Sequence, residues 1–139
     1  MDKLLWVWQL PQNILGYFLT RKYDVISTRS VSVDKRRTVY FKTFFCNGLS
    51  LGDYIILDRW HLGKCGTKTI NTICHEYGHQ RQSLILGWLY IPLIIIPSAL
   101  RSLWNFLFHR SWSKELRDRW YYRGYPERWA DVLGDVIRD

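Results

Sequence analysis

His75-Glu76-Tyr77-Gly78-His79, near the middle of this 139-residue chain, is an H-E-x-x-H pentapeptide on which the expected fold depends. Residues four apart on a helix lie on the same face, so His75 and His79 can offer two imidazole nitrogens to one metal ion. Glu76 is one step around the helix, where it can take a proton from a water molecule bound to that ion. The alternative is a chance match. The motif alone does not make a site, because a catalytic zinc ion also needs a third protein ligand and an open position for water.

The segment Tyr125-Pro126-Glu127-Arg128-Trp129-Ala130-Asp131 is the candidate source of the third ligand. Pro126 suits the first turn of a helix, where its missing N–H group is not needed. Glu127 and Asp131 then lie four residues apart on one face. Glu127 is predicted to bind the ion, and Asp131 to accept the free N–H of a ligand histidine and fix its tautomer. The alternative is a solvated helix end with ordinary surface charges.

The two motifs, H-E-Y-G-H and E-R-W-A-D, together resemble those of the gluzincins, zinc metallopeptidases whose second helix supplies a glutamate ligand and, one turn later, an aspartate. The glycine before the second histidine and the alanine before the aspartate look most like the membrane-embedded CAAX prenyl protease and heat-shock protease branch. The resemblance implies Zn²⁺ ligands at His75, His79 and Glu127, a general base at Glu76 and a supporting role for Asp131. It covers only these two short windows, in a chain much shorter than those enzymes.

The composition favours an anionic neighbour. The formal net charge is +8 and the isoelectric point is near 9.6, while aromatic residues make up 17% of the sequence. Trp, Tyr, Lys and Arg gather at lipid headgroups, although single-stranded nucleic acid is bound by the same residue types. Membrane lipid is the expected partner, and nucleic acid is not, because the chain has long apolar runs and no recognisable nucleic-acid-binding module. Its length suits a single domain, 1–139.

Residues 1–20 contain two short apolar runs that Pro11 separates. Each run is too short to span a bilayer by itself. An interfacial or partly inserted N-terminal anchor is predicted, and a helix that packs on the core is the alternative.

A second apolar segment follows the H-E-x-x-H motif, and no charged residue occurs between Arg81 and Arg101. A single membrane crossing there would leave the two histidines and Glu127 on opposite sides of the lipid. Residues 84–108 are therefore predicted to form a hydrophobic hairpin that turns near Pro97-Ser98, with the core of a soluble domain as the alternative. Basic residues flank both ends of the run, which favours a site that faces the cytoplasm.

The stretch from 23 to 57 alternates in the way that half-buried strands do, with turn residues at 34–37 and at Asn47-Gly48. A small antiparallel sheet of three strands is predicted, which makes the fold class α+β. By analogy with the gluzincins, the third strand, 49–57, is expected to pair with an extended peptide substrate. It could equally be a plain structural strand.

Together these features predict a membrane-associated zinc metallopeptidase that acts on a peptide or protein. Tyr121, Tyr122 or Tyr125 could donate a hydrogen bond to the oxyanion of the reaction, and the sequence does not distinguish them. Two other classes stay open. One is a non-catalytic membrane or interaction protein with a closed, structural zinc site. The other is a basic nucleic-acid-binding protein with salt-dependent affinity. The substrate and the oligomeric state are not predicted.

Overall fold

Helices surround a small mixed sheet in the computed structural model, which describes residues 3–22, 27–30, 38–42, 47–61, 63 and 66–138. In chain order the elements are α1 (Lys3–Trp8), α2 (Leu10–Lys22), β1 (Ser27–Ser30), β2 (Thr38–Lys42), β3 (Gly48–Leu51), β4 (Tyr54–Asp58), α3 (Thr67–Leu86), α4 (Ile96–Phe108), α5 (Lys114–Arg123) and α6 (Glu127–Leu133). Single helical turns occupy Arg59–His61, Gly87–Leu89 and Ile91–Ile95. The predicted α+β class is confirmed.

The sheet differs from the predicted antiparallel meander of three strands. Its four described strands run in the order β1-β2-β4-β3, and β2 pairs with β4 in parallel while the other two pairs are antiparallel. The single strand predicted over 49–57 is a hairpin of β3 and β4, because the chain reverses at Gly52-Asp53. Gly52 has a φ of +58°, which glycine adopts without strain. The predicted turn at 34–37 lies outside the described residues.

The core forms where the sheet meets α3. Its buried apolar cluster consists of Phe41, Ile55 and Leu57, against which Ile73 of α3 packs. The opposite face of β4 is also covered, since Ile56 is fully buried and Gly16 of α2 lies against the ring of Tyr54. The sheet therefore lies between α2 and α3, and it holds α3, the helix of the H-E-x-x-H motif, from behind.

The N-terminal segment predicted as an anchor packs against the rest of the protein through polar side chains and leaves apolar side chains exposed. It forms α1 and α2, and its buried side chains are polar. Gln12 donates hydrogen bonds to Ser83 Oγ and to the carbonyl of Gly87, both at 2.9 Å. Asn13 accepts one from the N–H of Asp53 at 2.8 Å. These bonds clamp α2 to the end of α3 and to the β3–β4 turn, while Leu4, Val7 and Phe18 stay exposed.

The hydrophobic segment turns in a different place from the one predicted. Residues 91–108 form one helical rod without a break at Pro97-Ser98: a wider helical turn over Ile91–Ile95 leads directly into α4, with Pro97 as the second residue of α4. A local change in the width of the turn accommodates the N–H that proline lacks. The chain reverses instead after Phe108, where the ring of His109 stacks on Trp112 at a centroid distance of 3.8 Å. The second limb of the hairpin is therefore α5, which runs back along α4.

Candidate metal centre

Helices α3 and α6 approach each other closely at two glycines. Gly78 lies so near the carbonyl oxygen of Ala130 that a Cβ atom there would collide with it, and Gly134 lies equally near the carbonyl oxygen of Cys74. In both places the obstacle is backbone, which cannot rotate out of the way. The glycine of H-E-Y-G-H therefore has a steric role, since it lets the helix that carries Glu127 reach the two histidines.

The three side chains predicted as metal ligands meet at this junction. His75 Nε2 and His79 Nε2 lie 3.0 and 3.2 Å from Oε2 of Glu127, and all three ligand atoms lie within 4.8 Å of one another. Ligands held at tetrahedral angles on bonds of about 2.0–2.1 Å are about 3.3 Å apart, so the spacing suits a small ion. All three residues are buried, Glu127 with only 1% of its surface exposed. The structure thus shows a His-His-Glu group that could bind a metal ion.

Each histidine is held by its other ring nitrogen. His75 Nδ1 lies 2.7 Å from Oδ1 of Asp131, and His79 Nδ1 lies 2.7 Å from Oε1 of Gln82. Both partners are acceptors, so each Nδ1 atom carries a proton, and each Nε2 atom is left as the position where either a second proton or a metal ion binds. Arg138 in turn binds the Asp131 carboxylate at 2.6 and 2.8 Å. Asp131 therefore has the predicted position beside a ligand imidazole.

The electrostatics of the His75–His79–Glu127 group favour the ionised form of Glu127 and the protonated form of His75. Burial opposes a charge on His75, but its hydrogen bonds to Asp131 and Glu127 outweigh burial and raise the pKa of His75 to about 9. Burial would raise the pKa of Glu127, yet the hydrogen bonds from His75 and His79 lower it well below its usual range. Protons and metal ions therefore compete for the same Nε2 atoms.

The second oxygen of Glu127 is also held. Ser98 Oγ donates a hydrogen bond to Glu127 Oε1, and the Tyr121 hydroxyl donates another at 3.0 Å. Ser98 and Tyr121 are themselves 3.1 Å apart. One oxygen thus faces the two histidines while the other is fixed by α4 and α5, so the carboxylate has one defined orientation.

Glu76, the predicted general base, is buried beside the histidines. Its Oε2 atom forms no hydrogen bond with any described residue, and its pKa is raised by burial, although nearby His79 and His75 act to lower it. Gly48 at the start of β3 lies so close that a Cβ atom there would collide with Glu76 Oε1. A buried carboxylate at a cleft, with one oxygen that forms no hydrogen bond to the described residues, is available for proton transfer, and β3 limits where it can lie.

The three candidate tyrosines have separate positions. A cleft of about 310 Å³ opens onto the cluster between β3, α4 and α5, and both Tyr121 and Tyr122 line it. The Tyr122 ring meets His75 edge to face at 5.1 Å, and burial raises the pKa of its hydroxyl, which stays protonated. Tyr125 instead donates to the carbonyl of Leu93 at 2.6 Å, away from the cleft lining.

Comparison with known proteins adds no relative: no protein-family model, curated protein or solved structure matches this chain. The likeness of its two motifs to those of the gluzincins stays a prediction. What the protein does must be inferred from the chemistry of its own residues.

Three residues of the centre were not found from the sequence. Gln82 could have been, because it follows His79 by three residues and shares its helix face; it also donates to the carbonyl of Pro126 at 3.1 Å and so ties α3 to the start of α6. Ser98 was marked only by being a polar residue in an apolar run. Arg138, near the end of the chain, carries no local signal.

Proposed function

We propose that the protein is a membrane-associated, zinc-dependent metallopeptidase. The observation that carries the proposal is the buried His75–His79–Glu127 group together with Glu76 at the same cleft, whose Oε2 atom forms no hydrogen bond to the described residues. Two imidazoles and one carboxylate are the ligands of a catalytic zinc site, which keeps its fourth position for water or substrate. A purely structural site has no use for a spare buried carboxylate, so the metal-binding alternative without catalysis is less well supported.

The chain's residues divide the chemistry among them. A zinc ion in this group supplies the Lewis acidity that activates water and polarises a carbonyl. Glu76 accepts the proton of the attacking water and then donates it to the leaving amine, a task that suits a carboxylate whose pKa burial has raised. Tyr122, protonated and in the cleft, is placed to donate a hydrogen bond to the developing oxyanion. Tyr121 instead holds Glu127.

An extended peptide is the proposed substrate. Among the described strands, β3 is at one end of the sheet order, next to β4, and its residues 48–50 line the cleft beside Glu76. A peptide that added a strand to this edge would carry a carbonyl past the cluster, with affinity from main-chain hydrogen bonds. This assigns to β3 the role that was predicted for the single strand 49–57.

Membrane association is proposed from the segment Ile91–Phe108. It is long and apolar enough to cross a membrane, with a mean hydropathy of 1.5, and only 6% of it is buried. The core helix of a soluble protein would be mostly buried, so this segment needs another apolar environment. The predicted cytoplasmic orientation of the site belongs to the same proposal.

The test compares Glu76→Gln with the wild type on an unfolded protein substrate and on a quenched fluorescent peptide mixture. We expect the variant to lose about 10²–10⁴-fold in rate, the usual contribution of a general base, while it keeps its zinc. Chelator should abolish wild-type cleavage and added zinc restore it. Undiminished cleavage by Glu76→Gln would refute the assignment, and a zinc-loaded wild type without any cleavage would favour a structural site.

A further inference from the structure

Helix α4 has two chemically opposite faces. Its polar side chains recur at helical spacing and form a single stripe, made of Ser98, Arg101, Ser102, Asn105 and the adjoining His109. Three of these five bond to the rest of the protein: Ser98 to Glu127, Arg101 to the carbonyls of Trp120 and Tyr121, and Asn105 to the carbonyl of Arg117, while His109 bonds within the stripe, to Asn105. The stripe therefore faces α5 and the metal centre.

The other face of α4 is apolar and exposed. About half or more of the surface is exposed in each of Ile96, Leu100, Leu103, Trp104, Phe106, Leu107 and Phe108. Exposed apolar side chains continue back along the chain to Trp88, whose indole N–H bonds the carbonyl of Val7 in α1 at 3.0 Å. A soluble monomer rarely exposes so large an apolar surface, and the side chains include the Trp residues typical of lipid headgroup regions.

Helix α5 prevents α4 from crossing a bilayer. The two helices are antiparallel, because Ser98 meets Tyr121 near one end and Asn105 meets Arg117 nearer the other. α5 carries six charged residues along its ten positions: Lys114, Glu115, Arg117, Asp118, Arg119 and Arg123. If α4 spanned the hydrocarbon, these charges would be drawn into it, which is strongly unfavourable.

We propose that α4 lies flat in the surface of an anionic membrane, with its apolar face among the acyl chains and α5 on the water side. The geometry of a helix whose polar stripe faces α5 and the metal centre and whose other face is exposed and apolar fits this partner. The charge fits as well, since the chain carries a net charge of +8 and Arg110, exposed at the end of the helix, lies over the Phe106 ring at 5.4 Å. Basic residues at this level attract anionic headgroups.

The in-plane arrangement of α4 also determines where the cleft lies relative to the membrane. Ser98 and Ser102 line it from the polar side of the helix whose other side meets lipid, so the cleft opens close to the headgroups. On the proposed peptidase function, the substrates are then peptide segments next to the membrane surface. Lipid binding itself does not depend on that function.

Vesicle flotation tests the surface. Wild-type protein should float with vesicles of mixed phosphatidylcholine and phosphatidylserine and bind phosphatidylcholine vesicles more weakly. The double variant L103E/L107E should bind at least about tenfold less, because two leucines lose their transfer from water to lipid. The matched control is Ile70→Glu, at the far end of α3, whose side chain is as exposed (53%) as that of Leu103 (52%); it should float like the wild type.

Three results would overturn the proposal that the apolar face of α4 binds membrane. They are a wild type that does not float, equal losses in Ile70→Glu and the double variant, and a soluble dimer that L103E/L107E splits into monomers. The last would show that a second copy covers this face. Since flotation is read without any substrate, its failure is separate from failure of the peptidase proposal.

Accessibility distinguishes a flat helix from a spanning one. With the three native cysteines replaced by serine, single cysteines are introduced at Lys68, at the start of α3, and at Lys114, just beyond α4. Sealed inside-out membrane vesicles from expressing cells are treated with an impermeant maleimide. Both positions should be labelled to the same extent, because a flat α4 leaves both on one side. Protection of one position until detergent is added would show that α4 crosses the membrane and would overturn the proposal.

Discussion

The α3–α6 junction buries polar side chains and the outer face of α4 exposes apolar ones, although the two regions are connected: Ser98, on the inner face of α4, bonds Glu127 of α6. At the junction, polar groups are buried and held by partners, and two glycines let backbone touch backbone. On the outer face of α4, large apolar side chains are exposed and touch little of the chain. A buried polar group needs a partner, while an apolar face needs an apolar environment.

From this difference we infer two kinds of partner: a metal ion at the junction and membrane lipid on the outer face of α4. The His-His-Glu group at the junction could bind a metal ion, and contacts within the chain hold its three side chains in place. The outer face of α4 is left largely exposed by the described residues, and membrane lipid is its proposed partner. Changes at the junction should therefore damage metal binding and folding, whereas changes on the outer face should alter only where the protein resides.

The largest combined effect on stability and metal binding is expected from closing the gap between α3 and α6. Gly78→Ala places a Cβ atom against the carbonyl oxygen of Ala130, and overpacking against backbone should lower the free energy of unfolding by about 3 kcal/mol and abolish metal binding. Urea denaturation measures the first and metal titration the second. Gly66→Ala is the control, because open space surrounds Gly66. Equal stability of the two variants would break the proposed close contact.

Loss of the groups that orient Glu127 should have the next largest effect. Ser98→Ala and Tyr121→Phe each remove one hydrogen bond to Oε1, and we expect metal affinity to fall about 10–100-fold in each. Competition with a chelating dye measures the affinity. Ser102→Ala, on the same helix and in the same cleft, is the matched control and should keep wild-type affinity. An equal loss in all three would mean that orientation of Glu127 is not the cause.

The stability of metal-free, chelator-treated protein should depend on pH, with a smaller effect than those substitutions and with a direction set by the pKa shifts. The raised pKa of His75, about 9, means that its contribution to stability is complete below about pH 6.5, the usual histidine pKa, and is lost as pH rises towards 9. The lowered pKa values of Glu127 and Asp131 mean that their contributions are lost in acid. Urea midpoints should therefore peak on the acid side of neutrality. Zinc-loaded protein should instead gain stability towards pH 9, and a parallel trend in both forms would contradict competition between protons and metal.

The smallest effect is expected on the outer face of α4. Leu100→Ser removes a side chain that is 61% exposed and should change the free energy of unfolding in mild detergent by less than about 0.5 kcal/mol. Ile94→Ser, in the same helical rod but fully buried, should cost about 2–5 kcal/mol. If Leu100→Ser cost as much as Ile94→Ser, the outer face would be part of the core.

The sequence predicted which side chains meet at the α3–α6 junction better than it predicted the path of the chain. His75, His79, Glu127 and Asp131 were found because ligand spacing on a helix is local, with i and i+4 on one face. The hairpin turn was misplaced because Pro97 was taken as a breaker, although a local change in the width of the helical turn accommodates it.

The contacts that Ser98 and Arg138 make at the centre could not be predicted. Which hydroxyl reaches Glu127 depends on how α4, α5 and α6 pack, and no local pattern encodes it for Ser98. The two-stranded course of 49–57 was missed for a different reason, since Gly52-Asp53 interrupts a run whose alternation continues on both sides.

Elemental analysis of the purified protein tests the central claim most directly. Wild type should carry one zinc ion per chain, Glu76→Gln should carry the same, and His79→Ala and Glu127→Ala should carry little, because each removes one of three ligands that meet within 4.8 Å. A zinc content that is unchanged in Glu127→Ala would contradict the joining of α3 and α6 through one ion, and with it the proposed peptidase.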